Sequence, residues 1–237
     1  MKQFKKGFLD GIPIGLGYLV VSFTFGIQAM QRGLSIWQAV LISMMNLTSA
    51  GQAAGLNIMY SAGSMIEMAL AQLVINSRYS LMSLSLTQKI DKSISIPKRF
   101  FFGCFHTDEI YAVAIGQEGK ITSKYFTGLI LAPYVGWTLG TLLGAICGEI
   151  LPSIIVNALG VALYGMFIAI FVPEMKKSLK MSAIVIISVI LSCCFAYIPA
   201  LKFVSGGFAV IICAVVASAL GAFFFPIPDQ EVANGNS

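Results

Sequence analysis

Residues 36–60 read IWQAVLISMMNLTSAGQAAGLNIMY, an apolar stretch interrupted by Asn46-Leu-Thr-Ser-Ala-Gly-Gln52. A helix crossing the hydrocarbon core of a bilayer needs about 20 apolar residues, and this stretch has the length but not the continuity. Irregular backbone at membrane depth is tolerated only where protein or a watery cavity covers it. Asn46, Thr48, Ser49, Gly51 and Gln52 are residues suited to such a break. The stretch therefore reads as two half-helices that enter and return on one side.

The basic residues on either side lead to the same reading. Ten of the fifteen Lys and Arg residues fall in three short segments: Lys2, Lys5 and Lys6; Lys89, Lys92, Lys98 and Arg99; Lys176, Lys177 and Lys180. They flank apolar runs, which is the pattern of cytoplasmic membrane loops. With the N-terminus inside, three full crossings before Lys89 would leave the loop 89–99 outside. A re-entrant 36–60 brings it back inside.

Composition supports lipid as the solvent. The 237 residues are 57% hydrophobic and only 11% charged, with a mean hydropathy of +0.87, whereas a water-soluble domain carries roughly 25% charged residues. The net charge of +5 does not indicate nucleic acid, because the cations do not interleave with exposed aromatics. Other apolar runs cover 12–30, 65–87, 100–116, 125–147, 154–172, 181–198 and 203–225. The expected fold is all-α, a polytopic transmembrane bundle of about seven spans with at least one broken or re-entrant segment, in a single transporter domain over 1–237.

The stretch 154–172 contains Asn157, Gly160 and Gly165. Read as a second broken segment, it returns Lys176–Lys180 to the inside and makes 1–118 and 124–226 inverted halves, an arrangement common in secondary transporters. It is also apolar enough to be an ordinary span. Glycines four apart (Gly7, Gly11 and Gly15; Gly140, Gly144 and Gly148) read as close-packing helix faces. Met1–Lys6 imitates a signal peptide, but the apolar stretch runs on past Asp10, so it reads as an uncleaved first span. Cys104, Cys147, Cys193, Cys194 and Cys213 fit no zinc or disulfide pattern and read as buried small hydrophobes. No metal site and no cofactor is expected.

An ionisable residue in hydrocarbon costs at least about 2.5–3.5 kcal/mol, so each is a functional candidate. Asp108 and Glu109 are adjacent near the middle of 100–116, and two carboxylates at that depth cannot both stay ionised without partners. They read as a proton-carrying site or a receptor for an ammonium group. Arg78 is the obvious cation. Glu67 lies on the same helical face but about 16 Å away along a continuous helix, so Arg78 must pair elsewhere, best with Asp108 or Glu109. Gln72, Asn76, Tyr79 and Ser83 occupy the other face, which places that helix in the bundle interior. His106, three residues before Glu109, reads either as a proton relay one turn away or as a capping or packing residue. A half-helix beginning after Ser49 offers a positive end for an anion. Together with the acidic pair this would suit a zwitterionic amino acid.

At these residues the chain resembles the AzlC-like large subunits of bacterial branched-chain amino-acid exporters. The resemblance rests on Gly11-Ile-Pro-Ile-Gly-Leu-Gly-Tyr18 with Phe25-Gly26, Gly33-Leu-Ser35, Ser49-Ala-Gly-Gln52, Asn76-Ser-Arg-Tyr-Ser-Leu-Met-Ser83, Thr107-Asp-Glu109, and Pro133-Tyr-Val-Gly-Trp137 with Gly140 and Gly144. It implies export of valine-, leucine- or isoleucine-like amino acids, a small AzlD-type membrane partner, and multi-pass residence in a bacterial plasma membrane. No phosphate-binding G-x-x-x-x-G-K-[ST] occurs, so proton coupling is the expected energy source. Asp108, Glu109 and Arg78 are expected to form the centre of the substrate and proton path, with Asn76, Ser49, Gln52, His106 and Glu67 along it. An intramembrane enzyme is the weaker alternative, since neither H-E-x-x-H nor G-x-S-x-G is present. A non-transporting assembly or sensor subunit, whose charges only lock helices together, is another.

Overall fold

The computed structural model describes residues 2–150, 178–201 and 203–225, with 168, 172, 175 and 176 between them. The helices among these residues are α1 (Lys2–Gln31), α2 (Ile36–Met45), α3 (Ser49–Tyr60), α4 (Met65–Thr87), α5 (Ile96–Gly103), α6 (Asp108–Gly116), α7 (Ser123–Ile150), α8 (Leu179–Tyr197) and α9 (Gly206–Phe224). The fold is all-α. Among the described residues four helices are long and apolar enough to cross a bilayer: α1, α7 over Ser123–Gly148, α8 and α9, with mean hydropathies of 1.6, 1.6, 2.3 and 2.4. The described parts of Met1–Leu56 and Asn76–Met166 form one compact unit, and those of Asn57–Ile75 and Phe167–Ser237 form a second.

The first unit is organised on α1 and α7, which lie side by side in the same direction. Gly7 faces the Tyr125 carbonyl, Gly15 that of Ala132 and Gly26 that of Thr141. Pro133 within α7 has no N–H to donate to the Leu129 carbonyl. Gly11 approaches that carbonyl so closely that a Cβ would lie 2.5 Å from the oxygen. The small-residue faces seen in the sequence are thus a backbone-to-backbone seam. This parallel pairing differs from the opposite directions that inverted halves at 1–118 and 124–226 give to their first spans. The stretch 154–172, which the sequence offered as a second broken segment, lies almost wholly outside the described residues.

Several helix ends gather at one level. Lys6 Nζ donates to Gln117 Oε1 at 2.8 Å, and Lys89 Nζ donates to the Ile115 carbonyl. The Asp91 N–H bonds the Ile121 carbonyl, and the Ile121 N–H bonds that of Lys89, each at 3.0 Å. The start of α1, the end of α4, the end of α6 and the start of α7 therefore share one rim. Hence α5 and α6 leave this rim and come back to it. The region 100–116, read from sequence as one crossing, is instead a re-entrant pair of short helices broken at Cys104–Thr107. Backbone in this break is tolerated because Phe102, His106 and Thr107 are buried in protein.

A second hairpin, α2 and α3, enters from the other end. It begins just after α1 ends at Gly33, whose φ of +83° suits glycine. Ser35 and Gln38 form a capping box at its start. Leu56 near its return packs with Phe25, Ala29 and Ala39, at the level of the C-terminal half of α1. The helix breaks between Met45 and Ser49, inside the interruption read from the sequence. Leu47 at this turn packs into the same apolar cluster as Tyr18, Ile110 and Trp137, so the two hairpin tips share one core.

In the second unit α8 and α9 pack antiparallel, with Gly221 against Ile184. The cysteines depart from the uniform burial expected: Cys213 is buried, but Cys104 and Cys193 are exposed.

Candidate functional site

The site forms where the α5–α6 tip meets α1 and α4. Thr107 caps α6, its Oγ1 accepting the Ile110 N–H at 3.3 Å, so Asp108 and Glu109 fall in the first turn. They are therefore at a helix start, not mid-span, where two carboxylates offset the positive end of the helix dipole. Tyr18, in the middle of α1, lies 2.6 Å from Thr107 Oγ1 and hydrogen-bonds the Glu109 carboxylate. Its ring meets Trp137 of α7 edge-on, with centroids 5.1 Å apart at 72°.

Depth follows from helix length. Tyr18 lies about 18 Å along α1 from the rim residue Lys6, at 1.5 Å per residue. The hydrocarbon core is about 30 Å thick, so the carboxylates sit near mid-depth.

Asp108 takes the cation. Arg78 Nη1 lies 2.7 Å from Asp108 Oδ2, and Nη2 donates to the Tyr79 hydroxyl at 3.2 Å while the guanidinium lies over that ring. The two acids thus have separate partners, Arg78 for Asp108 and Tyr18 for Glu109. The side chains of Arg78 and Asp108 are 44% and 38% exposed. An ion pair that open at this depth is not facing hydrocarbon, since charges in membranes face protein or a watery cavity.

His106 lies in the break itself and not on the α6 helix one turn from Glu109. It is buried, its Nδ1 is 3.2 Å from Ser83 Oγ of α4, and its Nε2 has no partner among the described residues. Below it, Tyr111 donates to Ser85 at 2.9 Å. Asn76 is half-buried two residues before Arg78 on α4.

Gln52 and Ser49 belong to the other tip. Gln52 Nε2 donates to Ser43 Oγ at 3.1 Å and to the Asn46 carbonyl at 2.7 Å, tying α3 to α2 across the break. Ser43 in turn lies 2.7 Å from Thr141 of α7. The buried Gln52 Oε1 is left without a partner among the described residues. Ser49 opens α3, where Thr48 Oγ1 accepts the Gly51 N–H at 3.3 Å.

Glu67 lies in the second unit, buried, where its Oε1 accepts the Gly207 N–H at 2.8 Å and the Ser205 hydroxyl. It caps the start of α9. Sequence reasoning missed Tyr18, Trp137 and Ser43 as site residues, because a tyrosine, a tryptophan or a serine in an apolar helix carries no signal of its partner.

The family model described as AzlC protein matches residues 13–151. An uncharacterized membrane protein of Archaeoglobus fulgidus is 31% identical over 176 residues, covering 73% of this chain and 77% of that protein. Inner membrane protein YgaZ of Escherichia coli is 26% identical over 145 residues, 59% of each chain. An uncharacterized membrane protein of Helicobacter pylori is 22% identical over 182 residues, 75% of this chain and 78% of that one. No solved structure matches.

Proposed function

Because this chain belongs to the AzlC family of membrane proteins, we propose that it exports small apolar amino acids of the branched-chain type as a proton-coupled secondary transporter. The observation that carries this is the pair Asp108 and Glu109 at the mid-depth tip of a re-entrant hairpin, with separate partners in Arg78 and Tyr18. A carboxylate at this depth needs a partner: Asp108 has the Arg78 guanidinium, and Glu109 accepts the Tyr18 hydroxyl. In this reading the acidic pair carries the proton, with Glu109 hydrogen-bonded to Tyr18 and Asp108 balanced by Arg78. Asp108 or Glu109 would receive the substrate ammonium, with the apolar cluster of Leu47, Ile110 and Trp137 nearby to receive the branched side chain.

The basic residues Lys2, Lys5, Lys6, Lys89, Lys92 and Lys98 belong to the rim end of the first unit or to the loop joined to it, which supports a cytoplasmic rim and N-terminus in a bacterial plasma membrane. A small AzlD-type membrane subunit is the expected partner.

The test is leucine efflux from proteoliposomes under an imposed pH gradient, with and without that subunit. Asp108→Asn and Glu109→Gln should each abolish the proton-driven component. Full proton-driven efflux by the doubly substituted protein removes the assignment. The locking role has support in the same pairings, since each acid has one partner. Exchanging Arg78 and Asp108 separates the two: folding and transport both restored would favour the lock.

A further inference from the structure

We infer that one face of the α1–α7 pair binds an anionic phospholipid, with its phosphate between Lys2, Lys5 and Lys124 and an acyl chain in the groove below. At the rim, Lys2, Phe4, Lys5 and Lys124 line a cavity of about 440 Å³. Next to it along the same two helices runs an apolar groove of about 360 Å³, between Phe8, Leu16 and Leu19 on α1 and Leu131, Val135 and Leu139 on α7.

The two spaces share one helical register. Positions 5, 12, 16 and 19 of α1, and 124, 131, 135 and 139 of α7, recur at the spacing that keeps side chains on one face. The parallel packing of the helices then puts all three ammonium groups at one end and the aliphatic side chains along the rest. Close backbone contact at Gly15 and Gly136 keeps the floor of the groove shallow and free of side chains.

Charge and length both fit this occupant. Asp10, the acid of α1, accepts the Tyr125 hydroxyl at 2.9 Å and does not line the cavity. Lys6 is turned to Gln117. The three lysines of the cavity are thus cations with no carboxylate among its lining residues, at the positive ends of two helices. From Phe8 to Leu19 the groove runs about 17 Å at 1.5 Å per residue, close to one leaflet's share of a hydrocarbon core about 30 Å thick. A free phosphate would use the lysines but leave the groove unexplained. Basic pockets beside membrane helices bind such headgroups on the cytoplasmic side.

The test is a native mass-spectrometric titration of the purified full chain with phosphatidylglycerol and, separately, phosphatidylcholine. Phosphatidylglycerol should bind the wild type more tightly. Combined Lys2→Gln, Lys5→Gln and Lys124→Gln should weaken it by at least about tenfold, from three cations near a headgroup. The control set Lys92→Gln, Lys98→Gln and Lys120→Gln, all exposed, should change it less than twofold. Val135→Trp, which fills the groove from a lipid-facing position, should also weaken it. Equal losses in both lysine sets would mean diffuse attraction and overturn the site. So would equal binding of the two lipids. Retention of phosphatidylglycerol by Val135→Trp, with displacement by inorganic phosphate, would reduce it to a free-anion site and overturn the lipid assignment.

Discussion

Tyr18→Phe removes one oxygen and leaves the ring against Trp137, so it separates the hydroxyl's bonds, that to Glu109 above all and that to Thr107, from packing. An ordinary hydrogen bond between membrane helices contributes about 0.6 kcal/mol on average and about 1.7 at most. A hydrogen bond to a charged group contributes about 1.5–3 kcal/mol. The overlap of these ranges sets the expected loss at about 1.5–1.7 kcal/mol when Glu109 is ionised. A neutral carboxyl would bring it down toward the lower figure. For a chain of this size each kcal/mol shifts the melting temperature by about 2–4 °C, so the variant should melt about 3–7 °C lower. Differential scanning fluorimetry on detergent-solubilised protein measures this, and leucine efflux from proteoliposomes measures the functional effect. Tyr18→Ala should cost more, because loss of a buried aromatic adds about 3–5 kcal/mol. A Tyr18→Phe protein that melts within 1 °C of wild type and transports normally would refute the role given to this bond.

Arg78→Gln should change melting little, since an ion pair this exposed contributes about 0–1 kcal/mol, yet it should strongly reduce efflux; a large melting loss with normal efflux contradicts that. Gly144→Ala would place a Cβ 1.9 Å from the Phe23 carbonyl, and backbone cannot yield as a side chain does. It should destabilise by about 1–3 kcal/mol, whereas Gly148→Ala, with its nearest neighbour at 3.4 Å, should be close to neutral in the same melting assay. Gly207→Ala puts a Cβ 2.3 Å from Glu67 Oε1 and should cost more than Ser205→Ala, because it displaces the carboxylate from both of its donors; equal melting losses count against the cap. In the rim loop, the Ser93 N–H donates to Asp91 Oδ1 at 2.8 Å and holds that carboxyl below the ordinary 3.8. Its stabilisation is present above the ordinary value and fades as pH falls through the lowered one. Carbon-detected NMR should find a titration midpoint below 3.8 that Ser93→Pro moves upward; an unmoved midpoint rejects the cause.

The two breaks were unequally legible. That at 46–48 stood out because Asn, Thr and Ser interrupt an otherwise apolar stretch. The break at Cys104–Thr107 carries Cys, Phe and His, which blend into an apolar run. Its one signal was Thr107 followed by two acids, the pattern of a helix start, and the run was long enough to hide it. Arg78 with Asp108 could be reached by elimination, since helix geometry kept Glu67 out of range. Tyr18 with Glu109 could not, because the pair joins elements 91 residues apart and tyrosine is at home in any apolar helix. Glu67 looked like a pathway acid for the same reason that Asp108 did, namely depth. Only its donors, a serine and a backbone amide at the start of α9, distinguish a cap from a site.

The two half-helix starts at the shared core differ in charge. That of α6 carries Asp108 and Glu109, so its positive end is already met by its own chain. That of α3 carries Ser49, Ala50 and Gly51, with no acid in its first turn. Gln52 spends its amide nitrogen on Ser43 and Asn46, which holds the break open without supplying an anion. An amino acid entering between the tips would therefore be oriented before any side-chain contact is made. Its ammonium is drawn to the acids of α6, and its carboxylate to the positive end of α3, which carries no acid. In the transport reading, reversing this polarity by Ser49→Asp should oppose the carboxylate and raise the leucine KM far more than it lowers the maximal rate. An equal fall in rate with an unchanged KM would place the carboxylate elsewhere.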